Sequence, residues 1–211
     1  MRKYSRCSVT QSLNKQKTIK MHNLLPYDGE ALYWKSAFPS LMREKYYVNL
    51  INEINWKHDE LTIFGRHIVT KRKVAWYGDR AFAYKYSNKT KIAMLWTPGL
   101  NLIKEQIELI SGHTYNSCLL NLYHSGEEGM GWHSDNEKQL KENGAIASVS
   151  FGAPRKFTLK HKTTNEKISL ELDSGSLLLM SGSIQKSWLH SLPLSKKIKE
   201  ARINLTFRTI T

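Results

Sequence analysis

From Cys118 to the last residues the chain is one strand-forming segment after another. "CLLNLY", "AIASVSFG", "RKFTLKHK", "EKISLELD", "GSLLLMSG", "KSWLHSL" and "ARINLTFRTI" follow at short intervals, parted by Gly, Ser, Asn and Asp turns. So many short strands within a hundred residues must close on one another, because each leaves an unpaired edge and an apolar face to cover. A sandwich, jelly roll or barrel is the expected result. "TTNEK" and "DSGS" read as hairpin connections.

The half before it is mixed. "LMREKYYVNLINEINW", residues 41–56, places Met42, Tyr46, Leu50 and Ile54, with Tyr47 and Ile51, on one helical stripe. A second helix is bounded by Thr97 as N-cap, Pro98 at the first position and Gly112 as the stop, with Leu102, Ile103, Gln106 and Ile110 at helical spacing. Residues 60–88 between the helices read as hairpins and loops. The fold expected is mainly β with flanking helices. Residues 1–20 read as a basic, flexible arm, and 21–211 as a single domain.

Charge narrows the partners. Lys and Arg number 32 against 18 acids, a formal net charge of +14, which favours polyanions. The excess is local: residues 1–20 hold six basic residues and no acid, and residues 66–91 hold eight against Asp79 alone. No apolar run approaches the roughly 18 residues that cross a bilayer, and the basic start lacks the apolar core of a secretory signal. Two cysteines, Cys7 and Cys118, are too few for a disulfide framework. A cytoplasmic, monomeric protein without a membrane partner is expected.

Two patterns point to chemistry. In "GMGWHSDNE", His133 and Asp135 are two apart, so on an extended segment both face one cavity. A further His would complete the two-histidine, one-carboxylate set that binds non-haem Fe(II). His190 in "SWLHSLP" suits that role better than His161, which lies between two lysines beside a turn and reads as solvated. The second pattern is "RINLTFR". Ile203, Leu205 and Phe207 share one face of a strand, and Arg202, Asn204, Thr206 and Arg208 share the other. That polar face is either a solvated surface or a receptor for a carboxylate, since an arginine fork pairs with one bidentately. "NLY" repeats the device with Asn121 and Tyr123.

These motifs, with "RKVAWYGD" and "IASVSFGAPRKF", stand in the order found in AlkB-type Fe(II)/2-oxoglutarate-dependent dioxygenases, which the chain resembles from about residue 61 onward. The resemblance implies a double-stranded β-helix, or jelly roll, over about 118–211, with a nucleotide-recognition lid at about 61–91. It implies iron ligands at His133, Asp135 and His190, and 2-oxoglutarate contacts at Asn121, Tyr123, Arg202, Asn204 and Arg208. Arg202 would hold the distal carboxylate, and Arg208 would lie near the chelating end. O2 would be the second cosubstrate. The implied reaction is oxidative demethylation of N1-methyladenine or N3-methylcytosine in DNA or RNA, with the base flipped out of its stack. Tyr84 and Tyr86 share a face, and Tyr86 would stack on the base opposite His133. Arg66, Lys71, Arg72 and Lys73 would contact phosphates, and Phe64 would act as a wedge in the duplex or as a hairpin core residue. At Asn136, followed by Glu137, several relatives carry an acid, so base preference is expected to differ here. Two rivals remain: an oxygenase of the same fold acting on a protein, lipid or small molecule, and a non-catalytic barrel that binds nucleic acid.

Overall fold

The computed structural model describes residues 22–63, 66–86 and 89–211, with residues 61–63, 66, 84–86, 89 and 90 described by backbone alone. The elements before the strand-rich half are β1 (Glu30–Trp34), α1 (Ser40–Glu53), a hairpin of β2 (Lys57–Ile63) and β3 (Arg66–Gly78), a second hairpin of β4 (Ala83–Tyr86) and β5 (Lys89–Ile92), the two-residue β6 (Met94–Leu95) and α2 (Pro98–Ser111). Then come β7 (Ser117–Tyr123), β8 (Met130–His133), β9 (Ile146–Gly152), β10 (Arg155–His161), β11 (Lys167–Leu172), β12 (Ser176–Ser181), the single-turn α3 (Ile184–Ser187), β13 (Trp188–Leu192) and β14 (Arg202–Arg208). The basic arm and Phe64 lie outside the described residues.

Two antiparallel sheets face each other. The larger runs β1-β12-β9-β14-β7-β3-β2, with β6 beside β3, and the smaller runs β11-β10-β13-β8. The larger sheet is a middle layer. Its odd-numbered residues Leu177, Leu179, Ala147, Val149, Phe151, Ile203, Leu205 and Phe207 pack with α1 and α2 in one core cluster. Ile146, Leu178 and Met180 face the other way and meet Phe157, Leu159, Leu172, Trp188 and Leu192 of the smaller sheet. Strict alternation on both faces is the sheet period at work. The hairpin β2–β3 extends the larger sheet, since β3 pairs with β7 from Lys73 opposite Leu122 to Gly78 opposite Ser117.

Several sequence expectations need correction. Helix α2 has the expected ends: the Thr97 side chain accepts from Leu100 N, and Gly112 closes the helix at φ +72°. Its inward face, however, is Leu100, Ile103 and Ile107, while Leu102 is exposed. The Leu102–Gln106–Ile110 row is displaced from the row that the sheet covers. Helix α1 stops at Glu53; Tyr46 and Leu50 are buried, and Met42 is exposed. Phe38, just ahead of the helix, takes the place inside, with its ring 5.7 Å from that of Tyr46. "TTNEK" does join the hairpin of β10 and β11. "DSGS" joins no hairpin: it carries the chain from β11 in the smaller sheet to β12 in the larger. Gly175 takes φ +76° in that crossing, where a Cβ would meet the Phe38 carbonyl and the Arg43 side chain.

His161 is buried rather than solvated. It shares the inward face of β10 with Phe157 and Leu159, its Nε2 is 3.1 Å from Asp28 Oδ2, and its ring meets Trp188 edge-on at 5.0 Å. Lys160 and Lys162 flank it without sharing its face.

The buried row of α2 yields a direct comparison. Ile103→Ala should cost about 2–5 kcal/mol of unfolding free energy, and Leu102→Ala less than about 0.5. Urea denaturation of the two variants measures the difference, and equal costs would contradict the assigned face.

Candidate active site

Between the sheets lies a cavity of about 780 Å³, lined from both layers and from the first hairpins. His133 ends β8 and His190 lies within β13, directly opposite it in register. Asp135 follows two residues after His133. One ligand atom from each lies within 4.8 Å of the others. The His133 Nδ1 is 2.8 Å from the Gly131 carbonyl. With Nδ1–H donating to that carbonyl, Nε2 keeps its lone pair for the cluster.

Asp135 is buried, and burial by itself raises its pKa. Arg208, His190 and His133 outweigh that effect, so the carboxyl sits below its ordinary range. Arg208 donates from Nη2 to Asp135 Oδ1 at 2.8 Å and from Nη1 to Glu137 Oε1 at 3.4 Å. Burial lowers the His190 pKa to about 4 despite the neighbouring carboxylate. Its imidazole is therefore neutral and available as a ligand through the neutral range.

The polar face of β14 lines the same cavity, which rejects the solvated alternative. In register, Arg202 lies between Tyr123 of β7 and Gly152 of β9, and Asn204 between Asn121 and Ser150. Arg202 is 2% exposed, donates from Nη2 to Ser150 Oγ at 2.9 Å and lies over the Tyr123 ring at 5.6 Å. Its Nε and the Asn121 Oδ1 are buried without a partner, and no acid pairs with Arg202 among the described residues. Burial lowers its pKa to about 10, so it remains a cation at neutral pH.

Three expected contacts are otherwise engaged. The Asn204 amide donates to Ser148 Oγ at 2.8 Å and to the Val149 carbonyl at 3.0 Å, so it ties β14 to β9. Arg208 is paired with the carboxylates already described. Arg72 is buried rather than a surface phosphate contact: Nη2 is 3.1 Å from Asp59 Oδ2, and it lines the cavity. A bulge between His58 and Glu60 aims Asp59 inward, where Lys91 Nζ also meets it at 2.5 Å. Of the remaining cluster, Lys71 is exposed and Lys73 half-buried. Asn136 is exposed and lines an adjoining depression of about 220 Å³ but not the main cavity, whereas Glu137 lines both. Tyr84 and Tyr86 are on β4 opposite Lys91 and Lys89; their side chains and that of Arg66 lie outside the described residues.

Residues 36–208 match the 2OG-Fe(II) oxygenase superfamily. The chain belongs to that family. It is 39% identical over 156 residues to DNA oxidative demethylase ALKBH2 of Bos taurus, across 70% of this chain and 56% of that protein. It is 34% identical over 199 residues to the Mus musculus ALKBH2, across 88% and 80%. Against alpha-ketoglutarate-dependent dioxygenase alkB homolog 3 of Homo sapiens the identity is 40% over 152 residues, across 66% and 51%. The chain thus spans little more than half the length of two of these relatives. The solved structure of OsALKBH1 shares the fold with a TM-score of 0.57 at 15% identity, over 85% of this chain and 96% of that one. The AlkB-type resemblance and the double-stranded β-helix read from the sequence both hold.

The site of this oxygenase fits the groups in the family's name. Two imidazoles and one ionised carboxylate form the donor set suited to Fe(II). A buried guanidinium without an acid is costly, and an anion that enters its hydrogen bonds relieves that cost. Arg202 and Asn121 can thus hold 2-oxoglutarate, one as a donor to a carboxylate and the other through its amide.

Sequence reasoning missed three positioning residues. Gln185 of α3 accepts the Asp135 backbone N–H on Oε1 at 2.9 Å. Lys162 Nζ in turn donates to the Gln185 and Lys186 carbonyls at 2.9 and 2.8 Å. Arg155, buried, donates to the carbonyls of Ser125, Glu128 and Pro193 at 2.8–3.2 Å and fixes the loop into β8. The alternation of β10 places Arg155 inside with Phe157, a signal available in the sequence; Gln185 carries none. Removing its grip on the ligand loop, as in Gln185→Ala, should weaken divalent-metal binding about tenfold. Calorimetric titration of the metal-free protein with Mn(II) measures this, and unchanged affinity would remove the positioning role.

Proposed function

We propose that the chain is an Fe(II)- and 2-oxoglutarate-dependent dioxygenase that demethylates N1-methyladenine and N3-methylcytosine in DNA. The observation that carries this reading is Arg202, buried and with no acid partner among the described residues, in one cavity with His133, Asp135 and His190. Relatives at 34–39% identity named DNA oxidative demethylase supply the substrate class, and the +14 charge agrees with a polyanionic partner.

When bound, Fe(II) with 2-oxoglutarate and O2 supplies the oxidation of an N-methyl group, releasing succinate, CO2 and, from the hydroxylated methyl, formaldehyde. The chain's part is binding and orientation. His133, Asp135 and His190 hold the metal. Arg208 keeps Asp135 ionised and fixes its Oδ1. Arg202 receives the distal carboxylate, and Tyr123 and Asn121 complete its pocket. Phe157, Met180 and Leu192 line the cavity with apolar surface and limit water beside the reacting methyl. Among the described residues, the Oε2 of Glu137 is buried without a partner. It can accept from the exocyclic amino group that both bases carry, and its charge favours these cationic bases. By the family resemblance, stacking on the base falls to Tyr86 of β4.

Anaerobic loading with Fe(II) and 2-oxoglutarate, then air and an oligonucleotide bearing one methylated base, tests the reading. Loss of one methylene by mass, with formaldehyde and succinate formed, is expected. His133→Ala should abolish the reaction. Arg202→Ala should raise the 2-oxoglutarate KM about 10–100-fold, as expected for losing a hydrogen bond to a charged group worth ~1.5–3 kcal/mol. Turnover of 2-oxoglutarate without loss of the methyl from either base would retain the oxygenase and overturn the substrate.

A further inference from the structure

The outer face of the smaller sheet carries a row that the cavity does not use. Lys167 of β11 lies opposite Lys160 of β10, and Lys160 opposite Leu189 of β13. The Lys160 ammonium lies 4.9 Å over the ring of Trp132 on β8. From Lys160 the ammonium thus reaches diagonally across β13 to Trp132 of β8, the residue before His133, which lines the cavity.

This row costs the fold something. Like charges directly opposite on antiparallel strands repel, yet Lys160 and Lys167 have no acid within ion-pair distance among the described residues. The nearest acid in the chain, Glu166, accepts from Tyr27 Oη at 2.6 Å. Elsewhere on the same two strands the pairing is ordinary, with Lys156 opposite Glu171. Trp132 is 42% exposed, although the sheet's inward face could take an indole, as it takes Trp188. A cationic pair beside an exposed aromatic ring suits a ligand that offers both phosphates and flat bases.

We infer that the Lys167–Lys160–Trp132 row is a docking surface for the nucleic-acid strand that continues from the nucleotide in the cavity, with the lysines on phosphates and Trp132 against a base. The inference rests on the nucleic-acid reading above. Three interstrand steps of about 4.8 Å carry the row about 14 Å from the rim, or about four nucleotides at the ~3.4 Å spacing of a stacked strand.

The test uses the full chain loaded anaerobically with Fe(II) and 2-oxoglutarate, and the fluorescence anisotropy of a labelled single-stranded 15-mer bearing one N1-methyladenine. Lys160→Glu/Lys167→Glu should bind the 15-mer at least tenfold more weakly and lower the steepness of log K against log salt by about 1.4, the share of two phosphate contacts on a single strand. Trp132→Ala should lose at least fivefold, corresponding to a base–aromatic stack of ~1 kcal/mol, with the salt dependence unchanged. Lys45→Glu on the exposed face of α1, which changes the charge as much as Lys160→Glu alone, should stay within twofold of the wild type, and Lys160→Glu alone should not. Wild-type binding by the double variant overturns the inference, as does a loss in Lys45→Glu equal to that in Lys160→Glu. Equal competition by poly-glutamate of matched charge, with Trp132→Ala silent, would indicate an acidic protein partner and also overturn it. A wild type that neither binds nor demethylates the 15-mer would bring down the underlying reading.

Discussion

Strand β14 is buried on both faces, and the two faces are buried against different things. Ile203, Leu205 and Phe207 are sealed under α1 and α2, while Arg202, Asn204, Thr206 and Arg208 front the cavity between the sheets. A slip of one residue would exchange the faces, putting guanidinium groups into the helix-packed core and apolar side chains at the site. Register is held from both sides, by β7 from Arg202 opposite Tyr123 to Arg208 opposite Ser117, and by β9 through Arg202 opposite Gly152 to Phe207 opposite Ala147. The apolar packing that stabilises the middle layer thereby also determines which cations the cavity receives, and where.

From that strand the site is assembled by electrostatics. Arg208, at its end, is ion-paired to Asp135, so the carboxylate ligand is positioned by the same element that carries Arg202. A second hold on the Asp135 loop comes from Gln185, and Lys162 secures the short helix that presents it. His133 and His190 meet across the β8–β13 pair. One charge is left over. Among the described residues Arg202 has no ion pair, so it bears the desolvation of a lone buried cation, a cost that makes sense where a bound anion completes it.

Much of this was legible in the sequence because it depends on local periodicity. The strand run, the ends of α2, the His133–Asp135 spacing and the two-faced RINLTFR are set within a few residues. What was not legible depends on which neighbour covers a side chain. His161 looked solvated because its flanking lysines are exposed, but alternation along β10 places it with Phe157 and Leu159. Arg72 looked like one of a basic cluster, until a bulge at Asp59 supplied a buried partner from the adjacent strand. "DSGS" has hairpin composition, and only the split into two sheets shows that it crosses between them. Gln185 acts through a backbone N–H fifty residues away, which no local pattern signals.

The measurement that tests the central claim most directly is the visible spectrum of the protein titrated anaerobically with Fe(II) and then 2-oxoglutarate. Chelation of Fe(II) by a 2-oxo acid produces a metal-to-ligand charge-transfer band, so the readout needs neither O2 nor a substrate. The account predicts a saturable band at one equivalent of each, absent when oxaloacetate-free succinate replaces 2-oxoglutarate because succinate lacks the 2-oxo group. Absence of a saturable band with Fe(II) and 2-oxoglutarate both in excess would contradict the assignment of the cavity.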